Sequence, residues 1–64
     1  MNIESRRKAL GLTQDDIAKK LGVDQSSVHL WESGKTKPRV DTLIKLAKLL
    51  KCTVNDLLDE SNYV

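Results

Sequence analysis

Two kinds of residue in this chain could do chemistry, and only one of them is present in numbers. The catalytic kind is sparse: one histidine, His29, and one cysteine, Cys52, in 64 residues. Neither belongs to a nucleophile–base pair or a metal-spaced cluster, and no glycine-rich loop is laid out to cradle a phosphate. An enzyme, a cofactor, a metal and a small-molecule ligand are therefore not expected, and a solvated His29 is the simpler reading. The recognition kind is denser. Arg6, Arg7 and Lys8 form one basic run, and Lys35, Lys37 and Arg39 form another with no acid between them. Between the runs stand Gln14, Gln25, Ser26 and Ser27, whose side chains hydrogen-bond without titrating. Ammonium and guanidinium groups attract phosphate, and a glutamine can hold N6 and N7 of adenine together. The acids Asp56, Asp59 and Glu60 gather at the other end with no base among them. Net charge is only +2. Its distribution therefore carries the argument, either as one face turned toward phosphate or as ordinary solvated surface.

Helices must position these residues. Ile3, Arg7 and Leu10 recur at helical spacing, so α1 is expected over about residues 2–10, with Gly11 ending it. Thr13 and Asp16 stand at capping-box spacing and open α2, where Ile17, Ala18 and Leu21 form the buried face before Gly22. Leu12, just before the cap, can staple onto Ile17. Asp24 is a suitable cap for α3. In α3, Val28 and Trp31 point inward while Ser26, His29, Leu30 and Ser33 fall opposite, and Gly34 stops the helix. After the loop Gly34–Pro38, the stripe Leu43, Leu46, Ala47, Leu50 predicts α4 over about residues 41–50. Lys45, Lys48 and Lys51 would form its solvated stripe. Thr53 and Asp56 repeat the capping box, so a short α5 starts near Val54 and carries Leu57 and Leu58. No segment alternates with period two, so no sheet is expected. With no phenylalanine the core must be aliphatic, built from Ile3, Leu10, Leu12, Ile17, Leu21, Val28, Leu43, Leu46, Leu50 and Leu57. Cys52 is most simply a small buried apolar residue between α4 and α5.

The stretch from Gln14 to Trp31 holds two helices joined by a short turn. Ala18 is small where the helices would cross, and Gly22 permits a sharp turn, with Val23 joining the shared core. This is a helix-turn-helix, at about residues 13–33, in which the second helix can lie in a DNA major groove. The run TQDDIAKKLGVDQSSVHLWESGKTKP resembles the signature of the phage repressor and Cro-type (XRE) family, and the resemblance extends from Ile3 to Leu58. It implies an all-α, five-helix bundle of the lambda-repressor-like type. It also implies roles residue by residue. Gln14 is similar to a glutamine that touches the DNA backbone and braces the recognition helix. Gln25, Ser26 and Leu30 occupy base-reading positions. Ser27 matches a position that meets phosphate or a thymine methyl, and Lys35, Lys37 and Arg39 match phosphate-contacting loop residues. The sequence departs from the family pattern at Leu30, usually polar or basic, which either packs on a thymine methyl or is simply exposed. Asp24 replaces the usual Ser or Thr cap and brings a negative charge near phosphate. Arg7, on the apolar face of α1, and Glu32, one residue after Trp31, need partners if buried. The resemblance implies a salt bridge between them, and the alternative is that both reach solvent.

Once the core is filled, Leu49, Val54, Leu58 and Tyr63 lack an obvious home, which suggests a homodimer interface in the C-terminal region of about residues 54–64. The alternative is a monomer with a frayed tail. The expected protein is a single domain over residues 1–64 that reads a near-palindromic double-stranded operator, most simply as a repressor. No leader or membrane span is recognisable, so a cytoplasmic, nucleoid-associated protein of a bacterium or phage is expected. A protein-interaction module that touches DNA only to regulate itself is the competing class. A steep salt dependence of duplex binding separates the two.

Overall fold

Local chemistry at the helix ends divides the chain. The computed structural model describes residues 1–58. They form α1 (Ile3–Ala9), α2 (Gln14–Leu21), α3 (Gln25–Ser33), α4 (Val40–Leu49) and α5 (Val54–Leu58), with no strand among them. At the start of α2 the Asp16 backbone N–H donates to Thr13 Oγ1 at 3.0 Å, and the Thr13 N–H donates to Asp16 Oδ2 at 2.8 Å. The same reciprocal pair recurs before α5, where Thr53 and Asp56 exchange bonds of 3.0 and 3.1 Å. Each pair satisfies two amides that a helix start otherwise leaves without partners. Because the carboxylates accept these bonds, Asp16 and Asp56 are both held below the usual carboxylate range.

Gly22 at φ +70° and Gly34 at φ +82° take the left-handed conformation that closes α2 and α3. The corresponding position after α4 is not a glycine. Lys51 adopts φ +58°, a conformation in which its Cβ crowds the backbone. The end of α1 differs from expectation. The helix stops at Ala9 and the chain leaves through Gly11, so Leu10 is turned out of the core and is 39% exposed. Asp24 precedes α3 but its side chain makes no capping bond. The amide of Ser27 is taken instead by the Asp24 backbone carbonyl at 3.0 Å.

The core consists of Ile3, Ile17, Ala18, Val28, Trp31, Leu46, Ala47, Leu50 and Leu57. Leu12, Leu21, Val23, Leu43 and Cys52 are partly buried against it, rather than fully enclosed. Helix α2 is central and packs on both α3 and α4, with α1 against α3 and α5 against α4. The beginning of the chain is clasped to α5. Asn2 donates from its backbone to the Leu57 carbonyl at 3.3 Å and from Nδ2 to the Asp56 carbonyl at 3.1 Å. Its Oδ1 accepts from Arg6 Nε at 3.3 Å, so the Asn2 side chain is not spent on capping α1. Among the described residues, no helix is long and apolar enough to cross a membrane.

Candidate nucleic-acid interface

Helix α3 is held by its inner face, where Val28 and Trp31 are buried. This leaves Gln25, Ser26, His29 and Ser33 exposed, with Ser27 and Leu30 half-buried. Leu30 is therefore not a freely solvated leucine. Its carbonyl also anchors the following loop, accepting from the backbone of Lys35 at 3.0 Å and of Thr36 at 3.4 Å. The start of the loop is thus tied to the last turn of α3, and the segment that follows carries Lys35, Lys37 and Arg39, all exposed.

The two basic runs read from the sequence are not equivalent. Lys8 is paired with Glu4 at 3.0 Å, Arg7 with Glu32, and Arg6 is bonded to Asn2. In the first run Arg7 is committed to holding the fold, while Lys8 makes only an exposed pair within its own helix. Lys35, Lys37 and Arg39 enter no ion pair among the described residues, so their charge remains directed to solvent. The second run is the one whose three cations are all exposed and without an ion-pair partner among the described residues.

Behind α3 lies a buried polar network. Arg7 donates from Nε to Glu32 Oε2 at 2.6 Å, from a terminal nitrogen to Glu32 Oε1 at 3.1 Å, and from the other to the Leu12 carbonyl at 3.0 Å. Gln14 Nε2 donates to Glu32 Oε1 at 3.0 Å. The side chains of Arg7 and Glu32 are only 11% and 5% exposed. Burial alone would push the Glu32 carboxyl up. The hydrogen bonds from Arg7 and Gln14, with the Arg7 charge, outweigh it and hold Glu32 below its ordinary value. The bond to Glu32 likewise raises Arg7. One carboxylate on α3 is thus bound to α1 and to the first residue of α2, which fixes the angle at which the outward face of α3 is presented. A shallow cleft of about 220 Å³, lined by Glu4, Gln14, His29, Glu32 and Ser33, opens beside this network. Among the described residues no group of histidine, cysteine and carboxylate side chains is arranged to hold a metal.

The residues set aside for a dimer interface separate. Leu49 and Val54 are partly buried against the core of their own chain, so the expectation that they lack an intramolecular home does not hold. Leu58 is 37% exposed, and Tyr63 lies outside the described residues. Two exposed apolar residues were not singled out by sequence reasoning: Val40 at 74% and Ile44 at 44%. Their four-residue spacing on α4, just beyond the edge of the Leu43/Leu46/Leu50 stripe, was the available signal.

A two-helix unit with a short turn closed by a left-handed glycine, a polar outer helix and an adjoining cationic loop is the architecture of a DNA-reading module. A family described as Helix-turn-helix matches residues 3–57. Repressor protein C2 of Salmonella phage P22 is 36% identical over 56 residues, covering 88% of this chain and 26% of that protein. The HTH-type transcriptional regulator DicA of Escherichia coli K12 is 41% identical over 51 residues, covering 80% of this chain and 38% of DicA. An uncharacterized HTH-type transcriptional regulator of Archaeoglobus fulgidus is 33% identical over 55 residues, covering 86% of this chain and 79% of that protein. No solved structure gives a significant match. The chain belongs to the phage repressor and Cro-type helix-turn-helix (XRE) family, whose members are DNA-binding transcriptional regulators rather than enzymes. It spans only about a quarter to two-fifths of the length of the phage P22 and Escherichia coli relatives (26% and 38%).

Proposed function

We propose that this chain is the sequence-reading unit of a transcriptional repressor that occupies a near-palindromic operator as a homodimer at the nucleoid. The observation that carries the reading is the exposed polar face of α3 followed at once by a loop, tied to its last turn, whose three exposed cations enter no ion pair among the described residues. Gln25, Ser26 and Leu30 read base edges in the major groove, Gln25 by a paired bond to adenine and Leu30 against a thymine methyl. Lys35, Lys37 and Arg39 take phosphates on one side, and Ser27 and Gln14 take them nearer the helix starts. Gln14 spends one amide hydrogen on Glu32 and keeps the other for a phosphate oxygen. A single recognition helix contacts few base pairs, so a two-fold pair with recognition helices about 34 Å apart gives the specificity an operator needs. Exposed Leu58, with Tyr63, stands as a candidate contact in that pair.

The test is selection of bound duplexes from a random library, followed by two substitutions. Gln25→Ala should lose discrimination at one base pair per half-site, worth about 1–3 kcal/mol. Lys37→Ala should weaken all duplexes alike and reduce the salt slope by about one. An unchanged site preference for Gln25→Ala removes the base-reading role, and a flat salt response removes the DNA reading altogether.

A further inference from the structure

Along α3, Gln25, His29 and Ser33 are spaced four apart and stand in one line, all exposed. His29 and Ser33 also line the cleft of about 220 Å³ whose other walls are Glu4 of α1, Gln14 of α2 and Glu32 of α3. His29 therefore stands between Gln25, which reads a base in the function proposed above, and Gln14, which takes a phosphate there. Its ring enters no hydrogen bond and no ion pair among the described residues. The charge on this flank is the reverse of that on the loop after α3. None of the cleft's lining residues is a lysine or arginine, and Glu4 and Glu32 are both acids. Glu32 is buried and compensated by Arg7 and Gln14. Glu4 is 54% exposed, paired with Lys8 at 3.0 Å and 4.0 Å from Arg7. We propose that His29 is a further DNA contact that takes up a proton as α3 closes on the duplex, so that its imidazolium meets a backbone phosphate on the cleft side and binding is coupled to pH.

The proposal rests on the DNA reading given above. A helix seated in the major groove has phosphates of both strands beside it, and the flank that carries Gln14 and His29 meets one of those rows. Glu4 and Glu32 on one side and phosphate on the other place His29 among anions. The nearby cations, Lys8 and Arg7, are already engaged by those two acids. Of the side chains lining the cleft, a histidine is the one that can turn cationic near neutral pH. Surrounding anions favour the charged form of an imidazole. Glu4 and Glu32 act on it in both states, whereas phosphate acts only in the bound one, and that difference draws in the proton. The proton comes from solvent to a ring nitrogen, whose N–H then donates to a phosphate oxygen. Other groups stay out of this range. Asp16, Glu32 and Asp56 are held below the usual carboxylate range, and burial pushes the Cys52 thiol up.

The experiment measures affinity of the whole chain for the winning duplex from the random library, at fixed salt, between about pH 6 and pH 8. One linked proton limits the change to about tenfold per pH unit, and an exposed charge contact supports about 3–10-fold across the range. The unaltered chain should bind more tightly at the acid end by that factor. His29→Gln keeps a hydrogen-bonding side chain without the charge, and its affinity should vary by less than about twofold. His29→Arg is charged at every pH and should hold the tighter affinity at the alkaline end. Binding heats in buffers of different ionisation enthalpy should show proton uptake by the unaltered chain and less by His29→Gln, a difference that a merely structural histidine would not produce. Any α-amino group titrating nearby is common to both chains and cancels in this comparison. The same pH slope in His29→Gln as in the unaltered chain overturns the proposal. So does a flat response of the unaltered chain, or a His29→Arg variant no tighter than His29→Gln at the alkaline end; none of these results touches the reading by Gln25. A library from which no duplex is enriched defeats the DNA reading itself. His29→Asn replaces His29→Gln if the latter melts early by circular dichroism.

Discussion

Replacing Arg7 by alanine should nearly unfold this domain, and the size of the effect can be worked from its contacts. The guanidinium makes two charge-assisted bonds to Glu32 and one to the Leu12 carbonyl. Bonds to charged groups contribute about 1.5–3 kcal/mol each, so the pair to Glu32 alone suggests about 3–6 kcal/mol. Truncation leaves a carboxylate that is 5% exposed with Gln14 as its remaining side-chain donor. Breaking one side of a buried ion pair costs about 3–5 kcal/mol because the orphaned charge stays buried, and the two figures agree. A domain of this size is typically stable by about 3–10 kcal/mol, so the loss consumes a third or more of the total. Trp31, the single tryptophan and a buried one, reports unfolding in urea. Lys45→Ala, at an exposed lysine, should stay within about 0.5 kcal/mol of the parent. Arg7→Met combined with Glu32→Leu should recover part of the loss, because no charge is then left alone. Equal urea midpoints for Arg7→Ala and Lys45→Ala would refute the reasoning.

Other outcomes follow from the same physics. Lys51→Gly should raise stability by about 0.5–1 kcal/mol, since relief of a left-handed lysine at about 1–2 kcal/mol exceeds the added unfolded-state entropy of glycine. In a domain this small that is about 3–6 °C in Tm, and a lowered Tm would show that Lys51 does not hold this conformation in solution. Stability should decline in acid. Asp16, Glu32 and Asp56 are all held below their ordinary values, so their contribution is complete above the usual carboxylate range and is lost as pH falls through the lowered values. Urea midpoints that stay level from neutral pH down to about pH 3 would contradict that sign. Thr53→Ala should cost about 1 kcal/mol and partly blunt the acid response, because the Asp56 backbone N–H loses its Oγ1 acceptor and the Asp56 carboxylate keeps only the backbone N–H of residue 53; an unaltered acid profile would place that response elsewhere.

Where local chemistry decides, the sequence was readable. Thr13 with Asp16, and Thr53 with Asp56, each announce a helix start by spacing alone, and Gly22 and Gly34 announce two ends. Where a feature depends on a residue acting against its type, it was not. Lys51 does the work of a glycine, and nothing in its identity signals a left-handed turn. Leu10 has the right spacing for the core, yet the helix ends one residue too early to carry it inward. Asp24 is a good capping residue whose job is taken by its own carbonyl. In the site, the outward face of α3 followed from helical periodicity, because Val28 and Trp31 fix which side is in. The division of labour between the two basic runs did not. It depends on Glu4, Asn2 and Glu32, which are near Lys8, Arg6 and Arg7 only in three dimensions or along a helix face. Val40 and Ile44 escaped notice because apolar residues beside a core stripe are ordinarily absorbed into it.

The clasp between Asn2 and α5 also bears on the order in which the chain folds. The bond from Gln14 to Glu32 spans 18 residues, and that from Asn2 to Asp56 spans 54. Closing a threefold longer segment adds about 1 kcal/mol of chain entropy by the logarithmic law. The α2–α3 pair is therefore the economical place for a nucleus, and the joining of the two ends is a late event that follows it. Run in reverse, thermal breathing starts with α5 peeling from Asn2. The α2–α3 pair, joined at Gly22 and held by the buried Ile17 and Val28, is among the last parts to come apart.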